Sequence, residues 1–149
     1  RQRQMCIRDR IPAGCLELEI TEEIVMQEAS MTGATLSELD RLGVHLAVDD
    51  FGTGYSSMAY LKRFPLDALK IDRTFLEGLP EDKGNAAIVE ASIYLGRKLG
   101  LEVIAEGVET AVQREFLQAH QCDLIQGYAL GRPMPLSALL EFLRDISRH

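Results

Sequence analysis

Short apolar runs alternate along this chain with segments of helical periodicity, and a polar or acidic group stands at the C-terminal end of each run. In chain order these groups are Glu19 with Glu22, Asp49 with Asp50, Lys70 with Asp72, Glu106 with Glu109, and Gln126. Parallel strands of an α/β fold end at one common rim, so we expect the groups to converge there. A rim of carboxylates, a lysine and a glutamine suits divalent cations and an anionic substrate.

The same pattern predicts five strands joined by helices. The predicted strands are 15–20, 44–49, 68–71, 102–105 and 123–126. The predicted helices are 32–42, 58–64 and 137–147, together with a helix that Thr21 opens, a helix that Asn85 caps and that ends at 99, and a helix that Thr110 caps and that ends near 120. Segments 41–49 and 98–106 repeat one unit, in which a helix ends at Leu-Gly and a strand ends in an acid. A complete (β/α)8 barrel needs about 250 residues, whereas this chain has 149. Either a smaller α/β fold or the C-terminal part of a barrel fits.

Composition narrows the function classes. The net charge of −7 argues against a non-specific nucleic-acid binder, and no run approaches the roughly 20 apolar residues of a membrane span. Cys6, Cys15 and Cys122 lack metal-ligand spacing. We interpret Cys15 and Cys122 as buried free thiols at strand starts, which fits a reducing cytoplasm.

The first ten residues differ from the rest of the chain. They are rich in arginine and show neither helical nor strand periodicity. We therefore predict a disordered or foreign leader at 1–10 and a single domain at 11–149. A basic membrane-binding arm is the less favoured alternative, because no apolar face accompanies the charge.

The adjacent carboxylates of Asp49 and Asp50 give the sharpest chemical signal. Two cations about 3.5–4 Å apart need a shared carboxylate and serve in-line phosphoryl displacement. The alternative is a solvated Asp pair in a turn. The loop that follows favours the functional interpretation, because Gly52 and Gly54 allow the backbone to approach a ligand or to move as a gate.

The remaining rim residues each allow two interpretations. Glu19 is a metal ligand or part of an exposed strand face, and Lys70 holds a phosphate or orients a water, or else forms a salt bridge to Asp72. Glu106 and Glu109 are a metal ligand and a base, or acids at a helix N-terminus, and Glu22 holds a loop or starts a helix. Gln126 contacts a nucleobase or a ligand water, or is a turn residue, and Tyr128 stacks on a base or is a rim aromatic.

In this order, the motifs resemble the EAL-domain family of cyclic di-GMP phosphodiesterases. The resemblance runs from about Ile11 to the end and rests on the stretches EITE (19–22), DDFGTGYSS (49–57), KID (70–72), AEGVET (105–110), QGY (126–128) and GRP (131–133). It implies a fold of about five βα units, the C-terminal portion of a TIM-like (β/α)8 barrel, which is incomplete.

The resemblance also implies roles for individual residues. Glu19, Asp49, Asp50 and Glu106 match metal-site acids for Mg²⁺ or Mn²⁺, Lys70 matches the lysine near the attacking water, Gln126 matches a site-lining glutamine, and Glu22 matches the glutamate that anchors the loop after the Asp pair. With Asp72 and Tyr128 as site-lining residues and Glu109 as a second loop anchor, this implies a two-metal hydrolase that opens cyclic di-GMP to linear pGpG in bacterial signalling. Whether Lys70 or Glu106 takes the proton stays open.

Two departures from the family pattern shape the expectation for this chain. The Glu-Ala-Leu signature does not occur, and the asparagine that completes the metal site has no counterpart, since Asn85 is the single asparagine. We therefore expect a truncated domain that is inactive alone, from a cytoplasmic or membrane-tethered parent that forms a homodimer. The alternatives are a non-catalytic cyclic di-GMP-binding or dimerisation module and another Mg²⁺-dependent barrel enzyme.

Overall fold

A parallel sheet with strand order β1-β2-β3-β4-β5 forms the centre of the computed structural model, which describes residues 11–21, 29–53 and 58–146. The strands are β1 Glu17–Thr21, β2 His45–Phe51, β3 Ala68–Ile71, β4 Glu102–Glu106 and β5 Leu124–Gln126. Each strand pairs in parallel with its neighbour in sequence. The five predicted strands and their parallel arrangement are thereby confirmed, and the predicted ends agree with the observed ends to within two residues.

Four helices connect successive strands and pack on one side of the sheet, and a fifth helix follows β5. They are α1 Ala29–Arg41, α2 Met58–Arg63, α3 Lys83–Leu99, α4 Ala111–Ala119 and α5 Leu136–Ile146, with single 3₁₀ turns at Ala13–Cys15 and Arg73–Leu76. The predicted helix that Thr21 opens lies outside the described residues, as does the predicted leader. No helix in the described ranges is both long and apolar enough to cross a membrane.

The two faces of the sheet differ in chemistry because side chains alternate along each strand. On the helix-covered face, Leu69, Ile71 and Val103 lie in the main core with residues of α3 and α4 such as Val89 and Leu117. The opposite face carries, on successive strands, Glu19, Asp49, Lys70, Glu106 and Gln126, with a small apolar patch of Ala47, Ala68 and Ile104 between them. The polar positions therefore share one face.

Local signals explain several helix ends. Gly100 ends α3 in the left-handed conformation (φ 75°), and Thr110 caps α4 in a capping box with Gln113. The expected cap by Asn85 is wrong. Asp82 caps α3, and its carboxylate accepts hydrogen bonds from the backbone N–H groups of Gly84 and Asn85. Asp and Asn are comparable N-caps, so residue type alone does not choose between the two positions. The Asn85 amide instead donates to the carbonyls of Glu77 and Thr74.

The last helix leaves a broad apolar surface uncovered in the described chain. Leu136, Leu140, Leu143 and Ile146 of α5 are 71%, 47%, 48% and 56% exposed. Leu124 of the edge strand β5 is also exposed. Within the described residues, β5 is thus an edge strand and the apolar face of α5 is solvent-exposed.

The cysteines correct a further expectation. Cys15 is exposed in the 3₁₀ turn before β1, whereas Cys122 is half-buried just before β5. Cys15 is exposed because the first strand begins only at Glu17, so the segment before it does not enter the sheet. Burial, with the neighbouring Asp123 carboxylate, raises the pKa of the Cys122 thiol to about 11.

This difference predicts selective labelling of the native chain. At about pH 8 a maleimide should modify Cys15 and spare Cys122, because Cys122 stays a neutral thiol well below its raised pKa. Peptide mapping by mass spectrometry measures both sites, and the same reaction in denaturant, where both are modified, is the control. Equal labelling of the two sites in the native chain would contradict this account.

Candidate active site

The ammonium group of Lys70 lies between two carboxylates from other strands. Lys70 stands in the middle of β3, its side chain is 5% exposed, and its Nζ contacts Oε1 of Glu19 from β1. The same Nζ lies 2.5 Å from Oε1 of Glu106 on β4. Of the two earlier interpretations of Lys70, the salt bridge to Asp72 is therefore not what the structure shows. A lysine this buried needs such partners, because an unpaired buried charge is strongly unfavourable.

Electrostatics keep this lysine charged. Burial acts to lower the pKa of Lys70, but its hydrogen bonds to Glu106 and Glu19 outweigh burial and raise the pKa well above the ordinary value. Glu19 and Glu106 remain more accessible, with side chains 49% and 25% exposed. The result is an ammonium fixed at the centre of an open carboxylate cluster.

A β-bulge brings the two aspartates to the same side. Val48 pairs with Leu69 and Phe51 with Ile71, so β2 has one residue more than β3 in this interval. Val48 and Phe51 both pack in the helix-side core, and the residues between them, Asp49 and Asp50, are both excluded from that core. The bulge therefore overrides the strand alternation that would separate adjacent side chains.

The conformation of Asp50 completes this bulge. Asp50 has a left-handed backbone (φ 55°), and its N–H donates to Oδ1 of Asp49 at 2.9 Å. Its carbonyl accepts hydrogen bonds from the Thr53 N–H at 3.2 Å and the Thr53 hydroxyl at 2.8 Å. Burial and the nearby charges of Asp49 and Asp72 raise the pKa of Asp50, while the Lys70 charge opposes them. The carboxylates are thus close enough to repel one another.

Asp72 is held by hydrogen bonds to its own carboxylate. Burial disfavours its charged form, but hydrogen bonds from the hydroxyl and the N–H of Thr74 to Oδ1 (2.5 and 2.9 Å) lower its pKa overall. Sequence reasoning missed Thr53 and Thr74 as the residues that position these aspartates. The detectable signal was a threonine two or three residues after an aspartate, a common turn pattern.

Gln126 and Tyr128 border a separate groove. Gln126 pairs with Glu106 in the sheet, and its carbonyl accepts the Val108 N–H at 3.0 Å. Tyr128 is 53% exposed, and the Arg132 guanidinium lies 4.6 Å from its ring centroid. Both line an open groove of about 670 Å³ between the end of β5 and α5. The structure thus brings these two residues together, beside rather than inside the carboxylate cluster.

Of the two predicted loop anchors, Glu109 and Glu22, the structure describes only Glu109. Glu109 is exposed, and its backbone N–H donates to the Gln113 side chain at 2.8 Å. Glu22 and the loop residues 54–57 lie outside the described residues, so the anchoring of that loop stays a prediction.

The chemistry of the donor set suits a hard divalent cation, since Glu19, Asp49, Asp50 and Glu106 all offer carboxylate oxygens. In the described parts of the chain, however, no three His, Cys, Asp or Glu side chains surround a common point. The Lys70 ammonium instead lies where Glu19 and Glu106 converge.

Close packing beneath the groove yields a stability prediction. A Cβ at Gly127 would overlap the backbone N and O of Val108, whereas a Cβ at Gly131 would meet only Met134 Cε, at 3.6 Å. Gly127→Ala should therefore destabilise the chain by about 1–3 kcal/mol, as overpacking does, and Gly131→Ala should have little effect. Urea unfolding measures both variants, and equal stability of the two would contradict the packing argument.

Comparison with known proteins assigns the chain to a family. The model of the family described as "EAL domain" matches residues 2–133. Cyclic di-GMP phosphodiesterase NbdA of Pseudomonas aeruginosa is 53% identical over 133 residues, which are 89% of this chain and 17% of that protein. The chain therefore spans less than a fifth of this curated relative.

Solved structures agree in fold. A structure named "PaMucR Phosphodiesterase, c-di-GMP complex" superposes with a TM-score of 0.87 at 47% identity, covering 92% of this chain and 56% of that one. A manganese and cyclic di-GMP complex of Klebsiella pneumoniae BlrP1 superposes with a TM-score of 0.81 at 32% identity, covering 87% and 33%. The five-stranded parallel sheet is thus the fold of part of a TIM-like barrel, and the chain belongs to the EAL domain family.

Proposed function

We propose that this chain is the C-terminal part of a metal-dependent phosphodiesterase domain that hydrolyses cyclic di-GMP to linear pGpG. The observation that carries the proposal is the Lys70 ammonium held between Glu19 and Glu106, with Asp49 and Asp50 brought to the same side of the sheet. Support also comes from relatives that are named cyclic di-GMP phosphodiesterases. The proposal keeps the expectation that the domain is truncated and that the chain alone is inactive.

The carboxylates would hold the metal. Glu19, Asp49, Asp50 and Glu106 are the proposed ligands for Mg²⁺ or Mn²⁺, because these cations prefer oxygen donors. When bound, the metal would activate a water and stabilise charge on the phosphodiester. Calcium and manganese appear with cyclic di-GMP in the names of two BlrP1 structures, which supports a divalent cation here.

Lys70 supplies a fixed positive charge to the reaction. Because it remains an ammonium, it can hold a phosphate oxygen or orient the attacking water, and it is a poor proton acceptor. The more accessible Glu106 carboxylate is then the better candidate to take a proton. Asp72, Gln126 and Tyr128 would line the substrate site, with Glu22 and Glu109 anchoring loops around it.

A chimaera tests the catalytic assignment. Residues 11–149 replace the matching part of the MucR phosphodiesterase, and chromatography follows the conversion of cyclic di-GMP to pGpG. Asp49→Asn and Glu106→Gln should each reduce kcat by about a hundredfold or more, the scale of lost electrostatic or acid–base catalysis.

Glu102→Gln is the matched control for this experiment. Glu102 is an exposed carboxylate at the start of β4, the opposite end of the strand that carries Glu106, so its substitution should leave kcat unchanged. Parental activity in both Asp49→Asn and Glu106→Gln would refute the assignment. Binding of cyclic di-GMP without turnover in the unsubstituted chimaera would favour the non-catalytic binding module.

Metal binding is tested on the chain itself. Calorimetry should show that the unsubstituted chain binds Mn²⁺. Asp49→Asn should weaken this binding by at least about tenfold, since a carboxylate ligand is lost. Chelation with EDTA should abolish the heat signal, and Glu102→Gln should bind as the parent does. Equal Mn²⁺ affinity in Asp49→Asn and the parent would exclude Asp49 as a ligand.

A further inference from the structure

Two side-chain amides bind the segment that follows Asp72. The Asn85 amide donates to the carbonyl of Glu77 at 2.9 Å and to that of Thr74 at 3.4 Å. The Gln113 amide donates from Nε2 to the carbonyl of Leu76 at 2.9 Å. Leu76 itself is fully buried. The segment after β3 is thus fixed from α3 and from α4.

The other end of the Gln113 side chain binds the segment that follows Glu106. Its Oε1 accepts hydrogen bonds from the N–H groups of Glu109 at 2.8 Å and Thr110 at 3.0 Å. The Gln113 N–H in turn donates to the Thr110 hydroxyl at 3.2 Å, which completes the capping box. One amide therefore links two rim segments that belong to neighbouring strands.

A second contact joins the same two segments closer to the site. Gly107, directly after Glu106, has a left-handed backbone (φ 75°), and a Cβ there would overlap the side chain of Arg73. Arg73 directly follows Asp72. The segments after β3 and β4 therefore meet twice: first where Gly107 packs against Arg73, and then, farther along both segments, through Gln113. The strands that these segments follow carry Lys70 and Glu106.

We propose that Gln113 is a positioning residue that keeps Glu106 against Lys70 by joining the segment after β4 to the segment after β3. The inference rests on the proposed function for its importance to catalysis, but the link itself is a property of the chain. Gln113 touches neither Lys70 nor Glu106, so it acts through the backbone of the two segments.

The chemistry of the amide separates this role from helix capping. Capping requires only an acceptor, which a glutamate at this position also provides. The link to the Leu76 carbonyl requires a donor, which a carboxylate lacks. Gln113→Glu therefore keeps the cap and removes the link, whereas Thr110→Ala removes the hydroxyl cap and keeps the link.

The test compares these variants in the full chain. Mn²⁺ affinity is measured by calorimetry, stability by urea unfolding, and amide exchange of 73–77 and 106–110 by mass spectrometry. Gln113→Glu should lower Mn²⁺ affinity about tenfold, the scale for residues that orient metal ligands, and should accelerate exchange in both segments. Thr110→Ala should lower stability, accelerate exchange in 106–110 alone and leave Mn²⁺ affinity at the parental value.

Gln118→Glu is the matched control, because Gln118 is an exposed residue of α4 and the substitution adds the same charge. It should match the unsubstituted chain in Mn²⁺ affinity and in the amide exchange of 73–77 and 106–110, with at most a small loss of stability from the helix dipole. A purely structural role of Gln113 predicts that each variant loses Mn²⁺ affinity in proportion to its loss of stability. If Gln113→Glu and Thr110→Ala both follow that proportion, the proposal is overturned.

The outcomes also separate this inference from the proposed function. If the unsubstituted chain binds no Mn²⁺, that result counts against the proposed function. Amide exchange alone then tests whether Gln113 links the two segments. Parental exchange rates in 73–77 of Gln113→Glu would overturn the inference whether or not the chain binds metal. If Gln113→Glu does not fold, Gln113→Met, which loses both ends of the link, is compared with Thr110→Ala by the same criteria.

Discussion

The pairing of one buried ammonium with two carboxylates organises the functional face of this domain. Lys70 stands in a strand whose four residues are all buried, so its charge is stable there only because Glu19 and Glu106 meet it from β1 and β4. The three groups come from strands that are not all adjacent, which ties β1 to β4 across β2 and β3. The sheet must hold its register for this contact to form.

Backbone irregularities complete the arrangement that regular strands cannot supply. The extra residue in β2 turns both aspartates away from the helix-side core, and the hydroxyl of Thr53 supports the left-handed Asp50. Thr74 instead donates its N–H and its hydroxyl to the carboxylate of Asp72. Rim segments are thus stabilised by side-chain hydrogen bonds because they lack the backbone pairing that fixes the strands. The Asn85 and Gln113 amides extend the same principle to the connections between strands.

Sequence periodicity predicted the sheet well because it reports which residues must be buried. Strands, their parallel order and the common rim followed from apolar runs such as that of β2, with Gly43 and Gly100 marking helix ends. The exact residue at which a helix or strand begins was harder to predict from sequence. Asp82 rather than Asn85 caps α3, and Cys15 lies in a turn rather than in a strand. Such outcomes depend on small energy differences between neighbouring candidates.

The sequence by itself determined the residue types, their order along the chain and the family motifs that bring Glu19, Asp49, Lys70 and Glu106 to one rim. Only the tertiary structure decided which of these groups touch. Lys70 pairs with Glu19 and Glu106 rather than Asp72, and Gln126 and Tyr128 border a neighbouring groove. Periodicity specifies the face on which a side chain lies, but contact also depends on strand register, bulges and the hydrogen bonds between distant segments, which arise only when the sheet is assembled.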